Sequence, residues 1–163
     1  MDSITFNAIG IIYSPYKMLE NMPIQPSAAQ GVTGTIEVYP EYTRGLDDLD
    51  GFSHIYLIYH FHRSKAWRLK VIPFLDHVER GVFATRAPSR PNAIGLSVVK
   101  LIKREANLLQ VENIDILDGT PLLDIKPFIP EMNATGRCRT GWFSKYKKTL
   151  KEKKSDNRFN HGE

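Results

Sequence analysis

The run Ser53–His62, SHIYLIYHFH, decides how the fold is read. It is an almost unbroken apolar and aromatic stretch, too short for a membrane span, and it predicts a strand covered on both faces. By the two-residue period, His54, Tyr56, Ile58, His60 and His62 share one of those faces.

Upstream, TGTIEVYP (33–40) alternates cleanly, with Ile36 and Val38 opposed to Thr35 and Glu37, and predicts a second strand. ITFNAIGIIYS (4–14) predicts another. KMLENMPIQPSAAQGVT (17–33) is a long connection in which Pro23 and Pro26 exclude a helix. PEYTRGLDDLDGF (40–52) reads as a short helix or turn ended near Gly51. Downstream, LKVIPFLD (69–76), GVFAT (81–85), LSVVKLIKR (96–104), LLQVENIDIL (108–117) and LLDIKPFI (122–129) predict further strands. A phase change near Glu112-Asn113 suggests a bulge, and DGTP (118–121) is a turn. Seven or eight short strands without regular strand–helix–strand units imply a mainly β domain, a closed or nearly closed barrel rather than an open sheet.

After the strands, TGWFSKYKKTLKEKK (140–154) predicts a helix with Thr140 as N-cap. Trp142, Phe143, Tyr146 and Leu150 form its apolar stripe, with lysines on the other side. The last residues, SDNRFNHGE, are expected to fray. The division is therefore a barrel domain over 1–136 and a basic C-terminal helix and tail over 137–163.

The chain has 163 residues, 42% hydrophobic and 25% charged, as in an ordinary globular domain. The N-terminus lacks the basic start and apolar stretch of a secretory leader, and no apolar run is membrane-length, so a cytoplasmic, membrane-free protein is expected. Cys138 is the single cysteine, which excludes an intrachain disulfide. The net charge of +4 is uneven: Arg137–Arg158 holds nine Lys/Arg against two Asp/Glu, a local +7, leaving −3 elsewhere. Such a segment favours an anionic partner such as nucleic acid, or serves only as a solvated tail.

Among residues able to carry chemistry, His60 and His62 at i, i+2 suggest metal ligands, but their third-ligand candidates, Asp76 and His77, lie on a separate loop. Aromatic lining of the barrel or of a dimer surface is the preferred reading, a hydrogen-bonding role for His62 at the strand end beside Arg63 is a third, and no metal is predicted. Arg137 and Arg139 favour thiolate at Cys138, yet no histidine is near in sequence, so a bystander thiol is expected. Asp118 and Asp124 flank a turn and strand that need no further role. No glycine-rich nucleotide loop is present. The segment RAPSRPN (86–92) sets two arginines, two prolines and an asparagine ahead of a strand, a composition that joining two strands does not require.

IGIIYSPY (9–16), PIQP (23–26), LDGFSHIYLIYHFH (49–62), GVFATRAPSRPNAIGLSVVKL (81–101) and DGTPLLDIKPFIP (118–130) occur in that order. Together they resemble the TsaA-like family, the β-barrel S-adenosylmethionine-dependent tRNA methyltransferases of the TrmO type. The resemblance implies a homodimeric barrel that methylates N6 of threonylcarbamoyladenosine next to the anticodon. It implies donor contacts from Ile24, Gln25 and Pro26, from His62 and Arg63, from Arg86, from Leu96, and from Asp118, Gly119, Thr120 and Pro121. The catalytic base is not implied; His62 and Asp124 are candidates by residue type. Arg90 and the tail lysines Lys147, Lys148, Lys151 and Lys154 are expected to meet RNA phosphates. Ala87 and Ala93 stand where the family often has Ser and Pro, and the separate C-terminal tRNA-binding domain of the bacterial enzymes is replaced by the basic segment. Two other readings stay open: the same chemistry on another RNA or a small molecule, and a non-catalytic RNA-binding barrel.

Overall fold

Alternation of branched apolar residues with polar ones places one face of each strand inward, and six strands close on themselves to bury that face. The strands are β1 (Gly10–Tyr13), β2 (Thr33–Val38), β3 (His54–His60), β6 (Ile94–Glu105), β7 (Leu108–Glu112) and β8 (Thr120–Pro127). The structure is a computed structural model and describes residues 3–133, 136, 138–146 and 152–159. The barrel order is β1-β2-β7-β6-β3-β8, every neighbouring pair antiparallel. A short hairpin of β4 (Lys70–Val71) and β5 (Arg80–Gly81) stands apart from it.

Ile12, Ile36, Ile55, Leu57, Val99, Leu109, Val111 and Leu122 are fully buried and fill the interior. Ile114 and Ile116, beyond β7, complete the same cluster. Closure removes the free edges that an open sheet of these strands would expose. In β3, Ile55, Leu57 and Tyr59 point inward, while Tyr56 packs against Phe128, so the outer face is only partly covered. The strand stops at His60, and the His62 N–H donates to the His60 carbonyl at 2.8 Å. His60 and His62 are therefore no longer neighbours on one strand face.

Several expected elements are shorter or differ in kind. Residues 4–9 do not join a strand; Ile4 and Phe6 stay exposed, and pairing starts at Gly10. Irregularities in register lie on β6, between Leu101 and Lys103 opposite β7, and between Ile58 and Tyr59 of β3 opposite β8, rather than at Glu112-Asn113. There the strand simply ends, with Asn113 at φ 68° and its side-chain oxygen accepting the Gly31 N–H at 2.9 Å. The expected helix over 140–154 is a 3-10 helix at Gly141–Tyr146, and Lys154 pairs as a strand-like bridge with Pro23. Lys147, Lys148, Leu150 and Lys151 lie outside the described residues.

The tail does not fray at Phe159. That ring is 8% exposed and packs with Val71, Val82, Ala87 and Phe74 in a second apolar cluster. Ser155 straps the tail to the connection after β1: its N–H donates to the Met22 carbonyl at 2.8 Å, and its hydroxyl donates to the Leu19 carbonyl at 2.6 Å. Arg158 donates to the Pro73 carbonyl at 2.7 Å and lies over the Phe74 ring. Asp76, buried in the β4–β5 hairpin, gathers donors from Arg80, Tyr146, His77 and Val78. Burial pushes this carboxyl up, but those hydrogen bonds outweigh it and hold it well below the usual carboxylate range.

Candidate functional site

At one end of the barrel, the ends of β3 and β6, the arginine loop, the connection after β1 and the C-terminal strap enclose a cavity of about 390 Å³. That volume suits a small-molecule ligand. Gly95 makes one wall possible: it sits directly against the Tyr59 ring, where any Cβ would collide.

The structure brings together Ile24, Gln25, His62, Arg63, Arg86, Arg90, Leu96 and Thr120, all of which line the cavity. Pro26, Asp118, Gly119 and Pro121 do not line it. Pro26 opens the 3-10 turn Pro26–Ala28, for which Gln25 is the N-cap residue. Asp118 accepts the Ser14 N–H at 2.9 Å and pairs with Lys17 at 2.6 Å. The Lys17 and Ser14 bonds depress its carboxyl below the ordinary range. Gly119 takes φ 72°, a left-handed turn conformation that a side chain would disfavour, and Pro121 pairs across to Ile11 on β1. Asp124 is also off the cavity; it pairs with Lys126 at 2.8 Å.

Arg86 is exposed, and no described residue accepts a hydrogen bond from its guanidinium. Arg90 instead braces its own loop, donating from Nη1 to the carbonyls of Thr85 at 3.2 Å and Ala87 at 3.1 Å. Ala87 is buried in the second apolar cluster, where a hydroxyl would need a partner. The His62 ring is shifted below its ordinary value, first by burial and then by Arg63 and His60, so it is neutral at pH 7.

Sequence reasoning missed two parts of this wall. The first is Asp115, a carboxylate between the fully buried Ile114 and Ile116. Ser97 Oγ donates to Asp115 Oδ1 at 2.7 Å, and Ser97 Oγ lies 3.1 Å from the Tyr59 hydroxyl. Ser97 has a single hydroxyl proton, so with Asp115 ionised Tyr59 donates to Ser97 and the three form a relay. Burial pushes the Asp115 carboxyl up to about 6 against the lowering by Ser97, its own backbone N–H and Arg86. Burial and the Asp115 charge likewise raise the Tyr59 hydroxyl. A lone acid inside an apolar run was the available signal. The second part is the strap, which contributes Ser155, Asp156 and Phe159. No local pattern announces it.

Apolar walls (Leu19, Met22, Phe61, Phe74), the acids Asp115 and Asp156 and the cations Arg63 and Arg86 thus face one space. Such a wall suits a ligand that is part apolar and part zwitterionic. Among the described residues no group of three His, Cys, Asp or Glu side chains is placed to hold a metal ion, and no helix is long and apolar enough to cross a membrane.

Fold and site together define a closed antiparallel barrel with a charged ligand cavity at one mouth. Residues 11–134 match the tRNA-methyltransferase O N-terminal domain, and the chain belongs to that family. It is 52% identical over 156 residues to a "probable S-adenosyl-L-methionine-binding protein" of Pyrococcus abyssi, covering 96% of this chain and 85% of that one. It is 36% identical to the tRNA (adenine(37)-N6)-methyltransferase of Escherichia coli, over 80% of this chain and 60% of that protein's length. The crystal structure of TrmO from Pseudomonas aeruginosa superposes with a TM-score of 0.73 at 38% identity, covering 86% of this chain and 63% of that one.

Proposed function

We propose that the chain is an S-adenosylmethionine-dependent methyltransferase that methylates N6 of threonylcarbamoyladenosine next to the anticodon of tRNA. The single observation that carries this reading is the cavity wall: carboxylates and guanidiniums set around apolar surface, in a member of this family. The methyl donor has the matching anatomy, an adenosine joined through a cationic sulfonium to an amino acid, and it supplies an activated methyl group without a metal.

Asp115 is the counter-charge for the sulfonium, and Arg86 and Arg63 receive the donor carboxylate. Leu96 and Ile24 cover the adenosine, while Gln25, at the start of its turn, offers polar edge contacts. The reaction breaks the sulfur–methyl bond, forms a nitrogen–methyl bond and releases one proton from the acceptor nitrogen. His62 takes that proton, being neutral and on the cavity wall, whereas Asp124 is off it and paired with Lys126. Holding the nitrogen about 3–3.5 Å from the methyl, in line with sulfur, supplies much of the acceleration for this weak nucleophile. The working unit is a cytoplasmic homodimer, and the basic tail lysines, Lys154 among them, steer tRNA by its phosphates.

Calorimetric titration with the donor, followed by methyl-labelling of tRNA with and without the threonylcarbamoyl group, tests the reading. Donor binding without transfer to any tRNA would favour another RNA or a small molecule as acceptor. Loss of both would leave an RNA-binding barrel.

A further inference from the structure

A second cavity, of about 690 Å³, adjoins the first and shares Ile24, Gln25, Phe74, Thr85, Arg86 and Phe159 with it. The rest of its wall carries three aromatic rings, Phe83, Trp142 and Phe143, among smaller apolar residues and Thr140. Val82 turns inward and is fully buried, which drives Phe83, its neighbour in the 3-10 turn Val82–Ala84, outward to 75% exposure. Trp142 is fixed in place. Its Nε1–H donates to the Ala84 carbonyl at 2.8 Å, the Arg80 guanidinium lies 5.7 Å from its ring centre, and Phe143 and Tyr146 meet it edge-on. Tyr146 is in turn tied to Asp76 at 2.9 Å. The indole is thus a held platform beside an exposed ring, with the exposed Arg86 on the partition between the cavities.

We propose that this second cavity is the acceptor site and takes one unpaired purine nucleoside splayed out of an RNA loop. The inference rests on the methyltransferase reading, because it takes the first cavity as the donor's. A bimolecular transfer needs the acceptor against the donor, and a shared wall meets that requirement. Bases leaving a stack are received on aromatic faces, which Phe83, Trp142 and Phe143 provide. The segment carrying Trp142 belongs to the stretch of sequence between Arg137 and Arg158 with a net charge of +7, a composition that favours a polyanionic partner. Arg86 at the partition can stack on a base or pair with an anionic substituent of it.

The test uses the full chain with Phe83→Ala and Phe83→Leu; the residue is exposed, so both variants should fold. The probes are an anticodon stem-loop RNA and a fully paired duplex of equal length. The readouts are donor Kd, RNA Kd, KM for methyl transfer and oligomeric state by sedimentation. Loss of a stacked ring should weaken stem-loop binding roughly ten- to hundredfold in both variants, since leucine has no π-face. Duplex binding, donor Kd and oligomeric state should stay as in the parent. Unchanged stem-loop Kd and KM would overturn the acceptor assignment while leaving the methyltransferase reading intact. A shift in oligomeric state with unchanged RNA Kd would also overturn it, because the ring would then belong to a face between copies. Phe83-dependent stem-loop binding with no methyl transfer to any tRNA would leave an RNA-base site on the second cavity and overturn both its assignment as the acceptor site and the proposed reaction.

Discussion

Asp115→Asn should move stability and donor affinity in opposite directions. The carboxyl is raised from 3.8 to about 6 by burial, so ionising it in the folded state costs free energy. Two units at about 1.36 kcal/mol each give roughly 3 kcal/mol at neutral pH, an upper value because part of the residue meets solvent. Above its ordinary pKa the folded state binds more protons here than the unfolded state. This contribution to stability therefore falls as pH rises from about 4, and the penalty is complete above about 6. Asparagine is neutral, similar in shape and still accepts the Ser97 hydroxyl. The variant should gain about 1–3 kcal/mol over the parent at pH 7.5 in urea unfolding, and almost nothing at pH 4. Donor binding should weaken instead. A sulfonium about 5 Å from a carboxylate gains ~3 kcal/mol at an effective dielectric of ~20, part of it offset by desolvation, so a loss of about ten- to hundredfold follows. Parent donor affinity should also fall as pH drops through about 6, and more steeply than the variant's, in which His62 is the remaining histidine on the cavity wall. Tyr16 and Tyr59, the other titratable groups that feel Asp115, are both raised above their ordinary value and keep their protons in that window, and Arg86 is the neighbouring cation. Lower stability of the variant at pH 7.5, or unchanged donor affinity, would refute the counter-charge reasoning.

Arg86→Ala should leave the fold intact, because the side chain is exposed, and should weaken donor binding by roughly 1.5–3 kcal/mol in calorimetry. Phe159→Ala should both destabilise, by about 3 kcal/mol for a buried ring, and loosen donor binding, since the ring belongs to the cavity wall. A tail that only solubilised the chain would show neither effect in unfolding and titration. Changing Lys147, Lys148, Lys151 and Lys154 to Gln should weaken tRNA binding and flatten its salt dependence by up to about 0.7–0.9 per lost phosphate contact, with donor affinity unchanged.

Strands β2, β6 and β7 were legible because burial on one face imposes a period of two, whereas β3 and β8 were legible as short apolar runs bounded by turn residues. What failed were the parts that depend on distant residues. Ile4 and Phe6 look like strand residues, but backbone partners begin only at Ile9, bonded to Leu122 and Tyr39, and the ladder at Gly10. The stripe of Trp142, Phe143 and Tyr146 fits a helix, yet bonds from Trp142 to Ala84 and from Tyr146 to Asp76 hold the segment as a 3-10 helix. Phe159 was expected to fray; its pocket is made by Val71, Val82 and Ala87 on the β4–β5 region, which no pattern in the tail reveals. In the site, the motif residues of the arginine loop and of Ile24 and Gln25 do converge. The turn Asp118-Gly119 points to Ser14 and Lys17 instead, and the acid of this segment that reaches the cavity is Asp115, three residues earlier. Its role depends on Ser97 and Tyr59 arriving from β6 and β3.

The central claim is methyl transfer to one modified adenosine, and the most direct measurement is transfer from methyl-labelled donor to two otherwise equal tRNA pools, one carrying threonylcarbamoyladenosine and one lacking it. The account predicts label in the first pool only, recovered as the N6-methylated nucleoside after digestion. Equal labelling of both pools, or label in neither while the donor binds, would contradict it.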